Sequence, residues 1–354
     1  GVAAAPIKDW DKYQEELHTR TGSDKKLVRL ITSQAKSDLQ RVVFAEGDEL
    51  DVLKAAQLVH EEGIAIPILL GDEQYIREMM ATIEFEGDVT IIDPKKETVK
   101  EARDAYAHTY WQLRQRKGIT LYDAQRRMRE RNYYAAMMVR EGDADAMISG
   151  YSRSYPNVLK PVLQVIDTQE GVNRVATTNL MITNRGPLFI SDTSININPN
   201  AKDLAKIAQM TSYTATMFGI QPRVAMLSYS NFGSSKNEDA QKVSRAVKLI
   251  HRLLPSIDVD GPIQADFALN KTMLTNKFPF SKIAGAAVNT LVLPDLNAAN
   301  IAYKLIKELD DALSIGPIMM GLKHPVHILQ LGASVDEIVH MTAVAAVDAQ
   351  NKKK

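Results

Sequence analysis

The sequence has no cysteine, no excess of either charge and no long apolar run. The first absence excludes a disulfide framework, thiolate catalysis and thiolate metal sites, and it fits a reducing compartment, so the cytoplasm is the expected location. The 43 basic and 43 acidic residues cancel. That removes the long-range attraction a nucleic-acid or anionic-membrane binder uses, and neither partner is expected. Apolar stretches such as Ile64–Leu70 and Leu291–Leu293 end within a strand's length, well short of the roughly 18 to 20 residues that span a bilayer. An initiator Met is also missing, and Gly1–Pro6 has neither the basic flank nor the apolar stretch of a signal peptide. A chain cut from something longer and a processed terminus are equally good readings of that start.

Chemistry-bearing motifs are scarce as well. There is no G-x-x-x-x-G-K-[ST] phosphate loop, no G-x-G-x-x-G fingerprint and no H-E-x-x-H zinc motif. His324 and His327 flank Pro325 with no acidic ligand beside them, so they read as a loop pair and no metal site is expected. What the 354 residues do contain is 45% hydrophobic and 24% charged side chains. This is the balance of a soluble chain with a sizeable core, and at about 150 residues per domain the length suggests two.

Strand-like and helical patterns alternate along most of the chain. Arg41–Glu46 leads through Gly47 and Asp48 into a helix carrying Val52, Leu53, Ala56 and Val59, with Gly63 as its stop. Ile64–Leu70, Val89–Ile92 and Ala146–Ile148 read as further strands, the last after a long helix that Thr120 caps with Asp123 three residues on. Such β-α-β alternation predicts mainly parallel sheets covered by helices. Thr177–Thr183 and Leu188–Thr193, separated by Asn184, Arg185, Gly186 and Pro187, predict an antiparallel hairpin in the middle. Beyond it come a helix near Leu204–Phe218, strand Val224–Tyr229, helix Ala240–Leu254, strands Ile263–Phe267 and Thr290–Leu293 and helix Ala298–Leu309. Strand Ile315–Met320 and a helix near Val335–Ala349 follow, and the tail Lys352–Lys354 is expected to be solvated.

Two regions suit an anionic ligand. Val224–Asp239 runs from a strand through a Ser-, Asn- and Gly-rich loop into a helix, which suits a phosphate or carbonyl group, although Ser234, Ser235 and Asn237 serve equally well as helix caps. Basic residues cluster in Leu113–Lys117 and Gln125–Arg131. The second cluster reads as a solvated helix face. Arg114 sits among core and turn signals, and Arg153 and Lys160 flank Tyr155–Pro156 in an expected loop after a strand. Together these side chains supply charge for phosphate groups.

With those pieces in place the chain resembles the phosphate acetyltransferase family from about Arg41 to Ala349. The carrying segments are LRQRKGIT (Leu113–Thr120), EGDADAMISG (Glu141–Gly150), PRVAMLSYS (Pro222–Ser230), LVLPDLNAANIAYKL (Leu291–Leu305) and GPIMMGLKHPVHIL (Gly316–Leu329). More narrowly, GVAAAPIKDWDKYQEELHTR, SYSNFGSS and KHPVHIL are similar to the version of this domain fused behind a malic domain in large bacterial malic enzymes. The resemblance implies two α/β subdomains with mainly parallel sheets and a cleft for acyl-CoA between them, and at least a dimer. It divides the chain into a linker over 1–22, subdomain I over 23–164 plus 319–354, and subdomain II over 165–318.

The same resemblance implies that catalysis is impaired. Active members read like N-D-L-S-R-G-C-S after a Pro-containing turn, with Ser and Arg at the reacting centre and an acidic base several residues later. Here Gln330 stands at the Ser position, Leu331 at the Arg position and Glu337 at the base position. Leu donates no hydrogen bond to developing oxyanion or phosphate charge. A family Arg is Lys160 here, which keeps charge without bidentate geometry. Arg114 is retained, and Ser228, Ser230, Asn300, Tyr303 and Lys304 match the family's cleft-facing segments, each of these five also fitting a capping or packing role.

The expectation is therefore a non-catalytic domain that binds acetyl-CoA as effector, with NADP and a divalent metal used by a malic domain of the same polypeptide. The alternative is an active phosphate acetyltransferase. A metal-dependent 2-hydroxy-acid dehydrogenase of related architecture is disfavoured because no cluster of Asp with metal-ligand spacing stands out.

Overall fold

The structure, a computed structural model, describes residues 23–310 and 312–353. The expected linker over 1–22 lies outside the described residues. The first of two sheets joins β1 (Arg41–Phe44), β2 (Ile66–Leu70), β3 (Thr90–Ile92), β4 (Ala146–Ser149) and a late strand, β11 (Val326–Ile328). Their order is β11-β4-β1-β2-β3, and all pairs are parallel. Alternation along β1 shows why both faces must be covered. Val42 and Phe44 join a core with the helices Leu50–Glu61 and Val335–Lys353, while Val43 and Ala45 join a second core with Tyr106, Tyr110 and Met137.

The second sheet joins β5 (Ala176–Thr183), β6 (Gly186–Ser191), β7 (Arg223–Leu227), β8 (Asp258–Ile263), β9 (Thr290–Val292) and β10 (Leu313–Met320) in the order β10-β5-β6-β9-β7-β8. β10, β5 and β6 are antiparallel neighbours, and β6, β9, β7 and β8 are parallel. Val224 and Met226 pack beneath helices Ala201–Met217 and Glu238–Leu253, whereas Ala225 and Leu227 pack on the face covered by helix Leu296–Leu309. This is the mixed α/β architecture with mainly parallel sheets that the alternation predicts.

The chain crosses between the sheets twice, and the crossings lie side by side. Thr168 and Leu322 form an antiparallel bridge, Gln169 N–H donates to the Gly321 carbonyl at 2.9 Å, and Lys323 N–H donates to the Asp167 carbonyl at 2.8 Å. Lys352 reaches back from the last helix to donate to the Leu322 carbonyl at 3.0 Å and to Asp348 at 3.2 Å. The solvated tail expected at this residue is thus a clamp on the crossing, and Lys354 lies outside the described residues.

Several local expectations are corrected. The strand expected over Ile263–Phe267 is instead the end of β8 followed by helix Ala265–Leu269. Asp260, Gly261 and Pro262 look like a turn, yet the chain stays in the sheet because Gly261 presses on β7, where an added Cβ would lie 2.5 Å from the Met226 carbonyl oxygen. His327 is not in a loop: it is fully buried in β11, with Nδ1 accepting from Met319 N–H at 3.2 Å and Nε2 3.3 Å from Asp348. Thr120 does cap a helix with Asp123, but that helix is the short Leu121–Arg127, and a new one starts at Arg131. Gly186 and Pro187 belong to β6, which leaves Asn184 and Arg185 as the turn.

Gly316 meets a sharper constraint. Its φ is +149° and an added Cβ would sit 2.1 Å from Asn179 Oδ1, inside the β10–β5 pair. Gly316→Ala is therefore expected to destabilise the fold by about 2 to 4 kcal/mol, from overpacking and backbone strain together. A fall in the urea midpoint at unchanged slope measures it, and an unchanged midpoint would show that Asn179 moves aside freely.

Candidate functional site

The carboxyl ends of the parallel strands build the site, where ligands of open α/β sheets collect. Beyond β1, the buried Glu46 carboxylate accepts from the backbone N–H groups of Gly150, Tyr151 and Ser152 at 2.6, 2.8 and 3.1 Å, and from the Ser152 hydroxyl at 2.8 Å. The loop after β4 is pinned by that one side chain. Gly150 is needed there because its φ is +105° and a Cβ would lie 2.8 Å from Ile328 and 3.1 Å from the Leu329 carbonyl oxygen.

The helix after this loop, Tyr155–Val165, carries Lys160, which is exposed and has no ion-pair partner among the described residues. It therefore sits on a helix, contrary to the loop expected there, because Pro156 falls in the first turn, where its missing N–H costs nothing. Arg114 closes the neighbouring helix Lys100–Arg114, and the two helices meet through Tyr110 Oη donating to Gln164 Oε1 at 2.9 Å. The Nε of Arg114 is buried without a hydrogen-bond partner among the described residues. Such an orphaned donor is costly unless a ligand satisfies it.

Arg127 and Arg131 correct the reading of a solvated face. Arg127 packs over the rings of Tyr110 and Tyr133 at 5.8 and 5.5 Å and donates to Gln164 at 2.8 Å. Arg131 forms a two-pronged pair with Asp48. Arg126 and Arg129 point outward, the latter donating to the Lys95 carbonyl at 3.2 Å.

In the other half, helix Leu296–Leu309 is capped by Asp295, which accepts from Ala298 N–H at 2.9 Å. Asn300 donates to the Thr193 carbonyl at 3.0 Å, which ties the helix to the end of β6. Tyr303 is buried, and Lys304 stays exposed with Nζ 5.7 Å from the Tyr303 ring centre. The two halves touch here. Gln330, just after β11, donates to Tyr303 Oη at 3.3 Å, and Lys307 pairs with Glu337 at 2.9 Å. Leu331 is 64% exposed between them and offers no polar atom of its side chain.

Lys307 is the member of this cluster that sequence reasoning missed. Its signal is helical spacing, four residues after Tyr303 and seven after Asn300, which puts all three on one face. Burial pushes the Glu337 carboxyl up, but Lys307 and the Ser334 backbone N–H hold it below its ordinary 4.5 overall. A carboxylate with a depressed pKa adds stability above its unfolded value, and that stability is lost as pH falls through the folded value. Glu337→Gln is expected to cost about 0.5 to 1 kcal/mol at neutral pH, and the gap should close in acid below 4.5. Chemical denaturation across pH reads both, and a gap that persists in acid would show that Glu337 acts by packing.

Ser228 and Ser230 lie at the end of β7, where Ser228 N–H donates to the Ile263 carbonyl at 3.0 Å, but their side-chain hydrogen bonds stay inside their own loop. Ser230 is buried, with Oγ 2.9 Å from Ser234 Oγ and accepting from Ser235 N–H at 3.0 Å, and Ser228 Oγ accepts from Ser230 N–H at 3.4 Å. Of the three capping candidates only Asn237 caps the helix, its side chain accepting from Asp239 N–H, while Ser234 Oγ accepts from Asn231 N–H and Ser235 Oγ from Asn237 N–H within the loop. The structure thus joins Tyr303 with Gln330 and Lys307 with Glu337, two pairs linked with Asn300 through one helix, whereas among the described residues no hydrogen bond connects Arg114, Lys160, Ser228 or Ser230 to them. Among the described residues no group of three or more His, Cys, Asp or Glu is placed to hold a metal ion, and no helix is long and apolar enough to cross a membrane.

Known proteins are similar to this chain in sequence and in fold. The chain is 37% identical over 361 residues to an NADP-dependent malic enzyme of Haemophilus influenzae, covering 99% of this chain and 47% of that protein. It is 39% identical over 331 residues to a phosphate acetyltransferase of Thermoanaerobacterium thermosaccharolyticum, covering 92% of this chain and 99% of that protein. It spans about half the length of the malic enzymes it matches. A crystal structure of a phosphotransacetylase from Streptococcus pyogenes superposes with a TM-score of 0.85 at 34% identity, covering 92% of this chain and 99% of that one. The model of the phosphate acetyl/butaryl transferase family matches residues 26–346, both sheets and the cluster between them included, and the chain belongs to that family.

Proposed function

We propose that this chain binds acetyl-CoA between its two halves without transferring the acetyl group at an enzymatic rate, and serves as the regulatory part of an NADP-dependent malic enzyme. The carrying observation is Leu331 at the family's Arg position, exposed and without a donor, beside a Gln330 already committed to Tyr303. Glu337 at the base position is held ionised by Lys307, so the group that would take a proton is engaged in an ion pair. Binding features survive better. The buried, unpartnered Nε of Arg114 fits a ligand phosphate, and Lys160 offers a second uncompensated charge.

The same reading assigns NADP, a divalent metal and the oxidative decarboxylation of malate to a malic domain of the same polypeptide, in a cytoplasmic homo-oligomer of at least two chains, with no nucleic-acid or membrane partner. The malic-enzyme alignment supports it by taking in 99% of this chain, against 92% for the phosphate acetyltransferase.

An active phosphate acetyltransferase is the second reading, and the comparisons taken alone favour it. Phosphate acetyltransferases 39% and 38% identical are matched over 99% and 98% of their own length, so this chain contains everything they do in outline. The two readings part at one measurement, the formation of acetyl phosphate from acetyl-CoA and phosphate. Binding of acetyl-CoA without turnover supports the first, turnover the second, and absence of binding overturns both.

A further inference from the structure

Away from the cluster between the halves, the helix layer over the second sheet encloses a cavity of about 400 Å³ between helix Ala201–Met217, the end of helix Glu238–Leu253 and the segment 171–174. Its floor is aliphatic, made by Ile207, Met210, Leu249, Ile250 and Leu254. Its rim carries four cations, Arg174, Lys202, Lys206 and Arg252, none of them in an ion pair among the described residues. A shallower groove continues from it, sharing Lys202, Leu249 and Arg252 and adding Arg245 and Lys248.

The acids nearby do not neutralise this rim. Asp203, which also lines the cavity, accepts the Asn200 backbone N–H at 3.2 Å in the capping box that starts its helix and offsets one of the four charges, and Glu238 is paired with Arg245, so the rim keeps a net positive charge. In a chain whose charges cancel overall, unpaired cations gathered at one cavity repel one another and hold an electrostatic deficit that an anion relieves. Arg245, Lys248 and Arg252 recur at helical spacing on one face, along about 10 Å of helix axis, which is room for several anionic groups in series. The cavity also falls within the roughly 300 to 1,000 Å³ of small-molecule pockets.

We propose that this cavity binds a phosphate ester carrying more than one anionic group and an apolar portion, the charges on Arg174, Lys202, Lys206 and Arg252 and the apolar part on the aliphatic floor. None of its lining residues belongs to the set assigned above to acetyl-CoA, so the proposal stands or falls separately from that reading.

Calorimetric titration of the chain with inorganic tripolyphosphate and with metal-free ATP tests it, at low and at physiological ionic strength. Both are expected to bind, more weakly as salt rises, and ATP more tightly than tripolyphosphate because its ring covers the floor. The double variant Lys206→Gln with Arg252→Gln removes two exposed or half-exposed charges and should weaken both ligands by about a hundredfold, about tenfold for each cation. Arg114→Ala should leave both affinities unchanged. No binding of either probe, equal affinity in parent and double variant, or competition by acetyl-CoA with loss of binding in Arg114→Ala would each overturn the proposal. ATP binding no tighter than tripolyphosphate would overturn the role given to the aliphatic floor.

Discussion

Given acetyl-CoA and phosphate, the chain is expected to form acetyl phosphate at least about a thousandfold more slowly than the enzymatic median of roughly 10 per second. Acetyl transfer between a thiolate and phosphate builds negative charge on the carbonyl oxygen and the phosphoryl group, and one preorganised donor aimed at such charge is worth about 2.7 to 4 kcal/mol, or a hundred- to a thousandfold in rate. Leu331 supplies no donor, and the amide of Gln330 is turned to Tyr303. The carboxylate of Glu337, one methylene longer than an Asp, is anchored to Lys307 and to the Ser334 N–H. Misplacement by about 1 Å costs on the order of a hundredfold, and losses within one catalytic unit do not simply add. A turnover near the median would remove the regulatory reading in favour of a working transferase. Gln330→Ser with Leu331→Arg should raise a residual rate, and Lys307→Met added to that pair should raise it further by freeing Glu337.

How far this was legible from the residues differs between the fold and the site. Buried runs such as Ala146–Ser149 and Arg223–Leu227 announce parallel strands because both faces are covered, and apolar letters therefore run on without alternation. β8 was hidden because Gly261 and Pro262 are turn residues in most settings, and here the glycine serves close approach to Met226. β11 was hidden for a different reason. It is three residues long with a histidine at its centre, and that buried polar side chain is held from two other elements, by Met319 N–H donating to Nδ1 and by Asp348 lying 3.3 Å from Nε2. The site shows the same limit. Residue types at Tyr303, Gln330 and Glu337 were readable one by one, whereas the pairings of Tyr303 with Gln330 and of Lys307 with Glu337 join partners about thirty positions apart, across the two halves of the molecule. Arg127 and Arg131 carry the same lesson, since a run of charges gives no sign that it is broken between two helices, with Arg127 turned to tyrosine rings and Arg131 to Asp48.

Arg114→Ala is expected to weaken acetyl-CoA binding about ten- to a hundredfold. Its Nε is buried with no partner among the described residues, a costly state that a ligand phosphate would relieve while gaining a charge-assisted contact worth roughly 1.5 to 3 kcal/mol. Arg114 is the last residue of its helix, where a cation is also favoured by the helix dipole, so the substitution should cost the fold only a few tenths of a kcal/mol up to about 1 kcal/mol. Loss of affinity with little loss of stability is therefore the signature of a ligand contact, and the reverse pattern would assign Arg114 to the fold. Lys160→Ala should weaken binding less, because an exposed ammonium contributes a point charge without the two-pronged geometry of a guanidinium. An effector shifts a partner domain only through different affinities for its conformations. In a full-length malic enzyme containing this chain, Arg114→Ala should accordingly blunt the response of malate oxidation to acetyl-CoA by the same factor that it weakens binding. Equal acetyl-CoA affinity in parent and variant would remove Arg114 from the site, and an undiminished response in an enzyme that no longer binds acetyl-CoA would sink the sensing role.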